Sequence, residues 1–313
     1  MPQIKKIATR QSYGEVLAEL GEENKNIVVL DADLSGSTKT SIFAKKFPDR
    51  FINCGIAEGN MAAVAAGLAA AGKIPFISSF AMFAVGRAFE QIRNSICLPA
   101  LNVKICASHA GVSVGADGGS HQCLEDIALM RTMPNMVVMS PSDDVEARAA
   151  VRKAVEIDGP VYIRLGRLAV PVINDYPEYT FTFGKGQLLR SGSDVTIVTT
   201  GLCVDSALKA DVMLRAAGVK ADVINICTIK PLDEEIILRS AAKTGKVLVV
   251  EEGFAVGGLG SAVTELLCDK LPTRVKRVGL STFGESGEAD ELLAFYHLDA
   301  DGVFAETIEF IKK

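Results

Sequence analysis

Short apolar runs alternate with segments of helical pattern along most of the chain. The runs NIVVLDAD (26–33), KIPFISSF (73–80), LNVKICASH (101–109), NMVVMSP (135–141) and PVYIRLG (160–166) are short, apolar and bounded by turn residues, which predicts buried strands. Between them the pattern predicts helices over 57–71, 82–97, 124–131 and 143–156. Ser142 or Asp143 can cap the last of these, with acids in its first turn. The stretch LAVPVINDYPEYTFTFGKG (168–186) interrupts the rhythm with two prolines, an Asn-Asp pair and two glycines, and reads as a linker. Beyond it come strands at DVTIVTT, KADVINI, KVLVVEEG and RVKRVGL, separated by helices at CVDSALKADVMLRAAG, DEEIILRSAAKTG and GGLGSAVTELLCDK. This alternation predicts two α/β domains, each with a mostly parallel sheet flanked by helices. The first is placed at 1–170, the linker at 171–186 and a smaller domain at 187–313.

One segment departs from the pattern. FINCGIAEGNMAAVAAGLAAAG (51–72) is apolar nearly throughout, so it is expected to bury itself completely, yet Glu58 stands at the start of its helix. An acid in the first helical turn is favoured by the backbone dipole and needs no function when exposed. Set among small apolar residues, the same carboxyl would be pulled two ways: burial raises its pKa and the helix N-terminus lowers it. The pattern alone leaves both readings open.

Bulk properties narrow the class. At 313 residues two domains are expected, and 49% hydrophobic with 23% charged residues gives ample core material. A net charge of −5 argues against a nucleic-acid or anionic-membrane surface. Seven cysteines, at 54, 97, 106, 123, 203, 227 and 268, show no CxxC spacing, the pattern of reduced, mostly buried thiols. The opening MPQIKKIATRQSYGEV has no apolar run, and the most apolar region, 61–85, is broken by Lys73, Pro75 and glycines. The expectation is a cytoplasmic enzyme or enzyme subunit.

Candidate chemistry concentrates in SHAGVSVGADGGSHQCLED (108–126), which follows a strand, where open parallel sheets place ligand loops. His109 and His121 flank Asp117 there, and four glycines allow turns that could bring the three together. The competing reading is a surface loop with two incidental histidines. The His-x11-His spacing matches no common zinc pattern, so no metal ligands are assigned. VVEEGFAVGGLGSAV (249–263) resembles a phosphate cradle, but Val263 stands where close helix packing needs Gly or Ala, which favours a structural turn. Phe80, Phe83 and Phe89 in SSFAMFAVGRAFEQIRNSI (78–96) have core packing as their ordinary explanation.

Taken in order, GIAEGNM, SSFAMFAVGRAFEQIR, SHAGVSVGADGGSHQ, MSPSD, TIKPLDEE and VVEEG…GGLGS resemble the C-terminal half of transketolase, over nearly the whole chain. The match is to a separately encoded C-terminal section: a pyrimidine-binding domain followed by the smaller C-terminal domain. The resemblance implies thiamine diphosphate as cofactor. Glu58 would hydrogen-bond the aminopyrimidine ring nitrogen and favour the imino tautomer, whose exocyclic nitrogen deprotonates the thiazolium carbon. Phe83 would stack on the pyrimidine with Phe80 beside it, and Asp33 would lie near the cofactor. Asp117 would accept from the donor's hydroxyl, His121 would act near the reacting hydroxyls, and His109 would lie close to the sugar phosphate. Arg10, Ser37 and Arg167 match the family's phosphate-end residues, where guanidinium forks suit a phosphate.

Departures from the family pattern also matter. A tyrosine common in the family has no clear counterpart, with Gly86 near its place, and some members carry glutamine where this chain has His121. The GDG…N motif of the diphosphate-and-magnesium domain is absent from the sequence. The resemblance therefore implies a partner, an N-terminal-section subunit holding most of the Mg2+ and diphosphate contacts, in an α2β2 assembly that acts on sugar phosphates. Similar loops occur in deoxyxylulose-phosphate synthase, which usually has Arg in place of His109. The beta subunits of 2-oxoacid dehydrogenases share the Glu motif and the split organisation but not the His–Asp–His loop. A non-catalytic subunit that kept the fold is the remaining alternative.

Overall fold

The computed structural model describes residues 5–312. Its larger sheet runs in the order Thr228–Lys230, Val137–Met139, Val161–Arg164, Lys104–Ala107, Ile74–Ser78, Ile27–Asp31, Phe51–Asn53. Neighbours are parallel except the first pair. Apart from the exposed edge strand Phe51–Asn53, these strands are largely buried on both faces, and their alternate residues divide between two apolar layers, as the period of two requires. Val28, Leu30, Ile77 and Ile105 pack with Met61, Ala62 and Ala65 of the helix Glu58–Ala70. Ile27, Val29, Phe76 and Cys106 pack with Tyr13, Leu17, Ala150 and Val151 from the helices Thr9–Glu23 and Asp144–Glu156 on the other face. Asp143 caps the latter, accepting from Glu146 N at 2.9 Å.

The second sheet has the order Arg274–Leu280, Lys246–Phe254, Val195–Thr199, Ala221–Asn225, Gln187–Arg190, parallel except for its last pair. Helices Cys203–Ala216 and Ala300–Lys312 pack on its Val195, Ile197, Leu248 and Val250 side. The fold is thus two α/β domains with mostly parallel sheets flanked by helices. Apolar packing runs on between the lobes, since Ile224, Val249 and Val263 share a core with the helix Glu58–Ala70 face.

Several elements differ from the sequence pattern. Thr228–Lys230, from the second half of the chain, pairs antiparallel with Val137–Met139 and covers the edge of the larger sheet. The stretch expected to be linker also takes part in structure: Ala169–Pro171 pairs with Lys6–Ala8, and Ile173 N and Asn174 N both donate to Asp143 Oδ2. The helix expected over 82–97 is two π-helical segments, Met82–Arg87 and Ile92–Cys97, joined by a short α-helical turn at Phe89–Gln91.

The largest correction concerns the helix Glu58–Ala70. Glu58, Met61, Ala62, Ala65 and Ala66 are buried, but Ala63, Gly67 and Ala70 are exposed, as is Val64 at 37%, and neighbouring Ile56 is 77% exposed. The sheet and the segment 82–97 pack on this helix, and its Ala63, Val64, Gly67 and Ala70 side is left exposed among the described residues. No helix among the described residues is long and apolar enough to cross a membrane.

Candidate active site

Three loops leave the carboxyl ends of neighbouring parallel strands, after Asp31, Ser78 and Ala107, and bring most of the chemistry-bearing residues to one edge of the larger sheet. An isolated bridge between Phe80 and Ser108, with Ala81 N donating to Ser108 O at 2.7 Å, ties the second loop to the third. The Phe80 ring consequently lies over His109, with centroids 3.8 Å apart and planes 25° from parallel. Phe83 stacks on Phe80 at 5.9 Å, and His121 meets the rings of Phe83 and Phe80 edge-on at 5.2 and 6.3 Å. The core-packing explanation holds for Phe80 only in part. The ring is buried, but against imidazole rather than aliphatic side chains, and Phe83 is half-buried at the rim.

His109 is 3% exposed and holds a left-handed backbone at φ +57°. Its Nε2 faces Arg10 Nη1 at 3.4 Å, and its Nδ1 lies 2.9 Å from Ser108 Oγ. A guanidinium has no acceptor, so Nε2 must accept and the proton rests on Nδ1, donated to Ser108 Oγ. Burial, reinforced by the charges of Arg10, Arg167, His121 and Lys39, lowers the pKa of His109 to about 3. This imidazole is neutral at physiological pH. Asp33 and Lys39, at φ +65° and +72°, are left-handed non-glycine residues on the first loop. Conformations of that kind cost of order 1 kcal/mol each and persist where surrounding structure imposes them.

Arg10, at the start of the helix Thr9–Glu23, donates to Ser37 O at 2.8 Å, so Ser37 meets the cluster through its backbone. The buried Nε of Arg10 has no partner among the described residues, and burial followed by the charge of Arg167 lowers the group's pKa. A desolvated guanidinium with a spare donor is suited to an anionic ligand. Arg167 is exposed and donates to Val114 O. Asp33 is exposed and accepts from Asn53 Nδ2 at 2.9 Å. Asp117 ends the turn Val112–Asp117, exposed, with no hydrogen bond or ion pair among the described residues.

Glu58 is 3% exposed at the first position of its helix, which removes the reading of an exposed dipole partner. Arg87 Nη1 approaches both of its carboxylate oxygens at 3.4 Å, while the same guanidinium lies 4.4 Å from the centroid of the Phe83 ring. One path of contacts therefore runs from Glu58 through Arg87 and Phe83 to His121, Phe80, His109 and Arg10. Arg87 was not singled out by the sequence. Its signal was a cation four residues beyond Phe83 in a helical segment, a spacing that places two side chains on one face.

The glycine-rich turn before Leu259–Lys270 is closed by the chain itself. Glu251 accepts from Leu259 N at 2.8 Å and Gly260 N at 2.7 Å, so the helix N-terminus already holds a carboxylate. The structural reading of this motif stands. Cysteines are free among the described residues, and only Cys268 is exposed. No group of three or more His, Cys, Asp or Glu among the described residues could hold a metal ion.

Comparison with known proteins adds an independent line. The transketolase pyrimidine-binding domain model matches residues 5–172, and the transketolase C-terminal domain model matches residues 184–303. A protein of Methanocaldococcus jannaschii named as a transketolase C-terminal section is 50% identical, over 97% of this chain and 96% of its own length. The 6-deoxy-6-sulfo-D-fructose transketolase subunit SqwH of a Clostridium species is 44% identical over 93% of this chain and 90% of its own. A structure described as a split-gene transketolase, an inactive beta4 tetramer, superposes with a TM-score of 0.89 at 52% identity, covering 98% of this chain and 99% of that one.

Proposed function

The chain belongs to the transketolase family, and from that premise we propose that it is the C-terminal-section subunit of a split, thiamine-diphosphate-dependent transketolase. It transfers a two-carbon ketol unit from a ketose phosphate to an aldose phosphate, together with an N-terminal-section partner in an α2β2 assembly. The observation that carries this reading is the single wall joining a buried acid at Glu58 to the Phe83 and Phe80 rings and on to His109 and Arg10.

These residues fit one end of the cofactor. A buried carboxyl near an aromatic ring suits an aminopyrimidine, and among the described residues the only group reaching the oxygens of Glu58, the Arg87 guanidinium, does so at 3.4 Å from a half-exposed side chain that can move. Thiamine diphosphate, when bound, supplies the carbanion-stabilising chemistry that ketol transfer needs. Glu58 would hold a proton at the pyrimidine ring nitrogen, and Phe83 and Phe80 would orient the ring. His109, kept neutral, offers a hydrogen-bonding imidazole without adding charge. Arg10 and Arg167 supply the charge at the phosphate end, Asp117 accepts from a substrate hydroxyl, and His121 acts near the reacting hydroxyls. Mg2+ and the diphosphate fall to the partner chain. The exposed apolar side of the helix Glu58–Ala70, with Ile56 beside it, supports a partner covering the site. The subunit and section names of its relatives, and the inactive state named for the beta-only tetramer, lean the same way.

The test is co-expression with an N-terminal-section partner and an assay of ketol transfer from xylulose 5-phosphate to ribose 5-phosphate. Glu58→Gln should lower turnover at least about a hundredfold, within the range for losing a positioned acid–base group; near-normal activity would contradict its role. Titration of the isolated chain with thiamine diphosphate and Mg2+ should show no tight binding, and tight binding without partner would overturn the split assignment.

A further inference from the structure

The loop that carries Asp117 and His121 is held from outside its own sheet. At its start, Ser113 N donates to Glu252 Oε1 at 2.6 Å. A Cβ placed on Gly111 would lie 2.1 Å from the Glu252 carboxyl carbon, so carboxyl and loop backbone are packed with nothing between them. Glu252, on the strand Lys246–Phe254 of the second sheet, is itself fixed. Arg164 Nη1 lies 3.5 Å from Glu252 Oε2 and Arg164 Nη2 donates to Glu252 O, while Arg164 Nε donates to Asp126 Oδ2 at 2.9 Å. Glu252, Arg164 and Asp126 are all at least nine-tenths buried, so this charge cluster is locked between the lobes.

The far end of the loop is held separately. Gln122, next to His121 and 2% exposed, donates through Nε2 to Val112 O, Gly115 O and Glu285 O at 3.3, 3.2 and 2.9 Å. Ser286 Oγ donates to Ala116 O at 2.6 Å, the residue before Asp117. A Cβ on Gly119 would stand 2.7 Å from Gly284 O, which requires the two backbones to touch. The histidine loop, open on its own with four glycines, is therefore given its shape by two segments of the C-terminal lobe, at 252 and at 284–286.

We propose that the C-terminal lobe acts as a brace for the substrate loop, with Gln122 and Glu252 as positioning residues for Asp117 and His121. The inference rests on the function proposed above for those two side chains. A hydrogen-bonded brace limits the excursions of a glycine-rich loop, and catalytic groups must be held to within a fraction of an ångström to be effective.

The experiment replaces Gln122 with methionine, which keeps side-chain length and removes the three donated bonds. Ser286→Ala, at an exposed position, is the second variant and leaves folding undisturbed. In the full chain, hydrogen exchange should accelerate about tenfold for amides of residues 112–121 in Gln122→Met, with the strand Lys104–Ala107 unchanged. In the complex with its partner, the KM for the ketose phosphate should rise roughly five- to tenfold, as expected for losing a hydrogen bond that fixes the loop, and about twofold in Ser286→Ala. Affinity for thiamine diphosphate should fall less than affinity for the ketose phosphate, because Glu58 and Phe83 lie on other segments and meet the loop only through the His121 ring edge. Unchanged exchange in the loop overturns the brace, as does parallel weakening of cofactor and substrate. A wild-type complex without ketol transfer would refute the proposed function, while the exchange measurement would still decide the brace.

Discussion

Replacing Arg10 with methionine should raise the pKa of His109 while leaving it neutral at pH 7. The His109 pKa falls from the ordinary 6.5 to about 3, a drop of about 3.5, with burial the largest cause and Arg10 the second of five acting in one direction. Arg10 therefore accounts for less than half the drop, at most about 1.7 pH units, or about 2.3 kcal/mol at 1.36 kcal/mol per unit. The variant should titrate between about 3 and 5. Since the depressed pKa favours the neutral imidazole, the stability it confers is complete above pH 6.5 and is lost as pH falls toward 3, up to about 5 kcal/mol for the full shift. With only three histidines in the chain, long-range 1H–15N spectra resolve each ring, and His109→Asn assigns the signal. The wild-type spectrum should show an Nδ1–H tautomer that does not titrate above pH 4. A wild-type midpoint near 6, an Nε2–H tautomer, or no upward shift in the variant would refute the account of this corner.

Burial pushes the Glu146 carboxyl up to about 7 although Ser142 and Asn225 donate to it, so wild-type stability should fall by about 3 kcal/mol relative to Glu146→Gln as pH rises from 4.5 to 7. Denaturant unfolding across that range checks it, and a flat or opposite slope contradicts it. Glu251→Gln keeps one acceptor for two helix N–H groups and should cost about 1–3 kcal/mol, seen as a lowered Tm, with an unchanged Tm counting against the self-capping role. Gly111→Ala places a methyl against the Glu252 carboxyl at φ +87° and should cost upwards of about 2 kcal/mol. A loss under about 0.5 kcal/mol would mean the loop and the C-terminal lobe are less tightly packed than they look.

What was legible in the sequence was whatever a local period encodes. The strands at 27–31, 74–78, 104–107, 137–139 and 161–164 lie inside the apolar runs that marked them, and the Asp143 cap stands one residue before its helix. Two kinds of feature escaped. A π-helical turn carries the same apolar content as an α-helical one, so 82–97 could not be distinguished by periodicity. Long-range contacts leave no local mark either: the edge strand Thr228–Lys230 and the Glu252–Ser113 bond cross between the lobes, and the Arg10–His109 contact joins residues far apart in the first lobe.

The expectation that failed outright, complete burial of the helix Glu58–Ala70, failed for a reason that bears on the acid at its start. Uniform apolarity around a helix records every surface it meets, and the described chain supplies only some of them: the sheet and the segment 82–97. Ile56 at 77% exposed forfeits most of the roughly 1.5–3 kcal/mol that burying such a side chain is worth. A covering chain would recover it. Glu58 occupies the first turn of the same helix, with Arg87 as its outward neighbour. On the partner reading, the contact that covers the apolar face also closes the acid away from water and displaces the half-exposed guanidinium from it. On that reading the chain that covers the apolar face also completes the surroundings of Glu58, so assembly and closure of the site are one event.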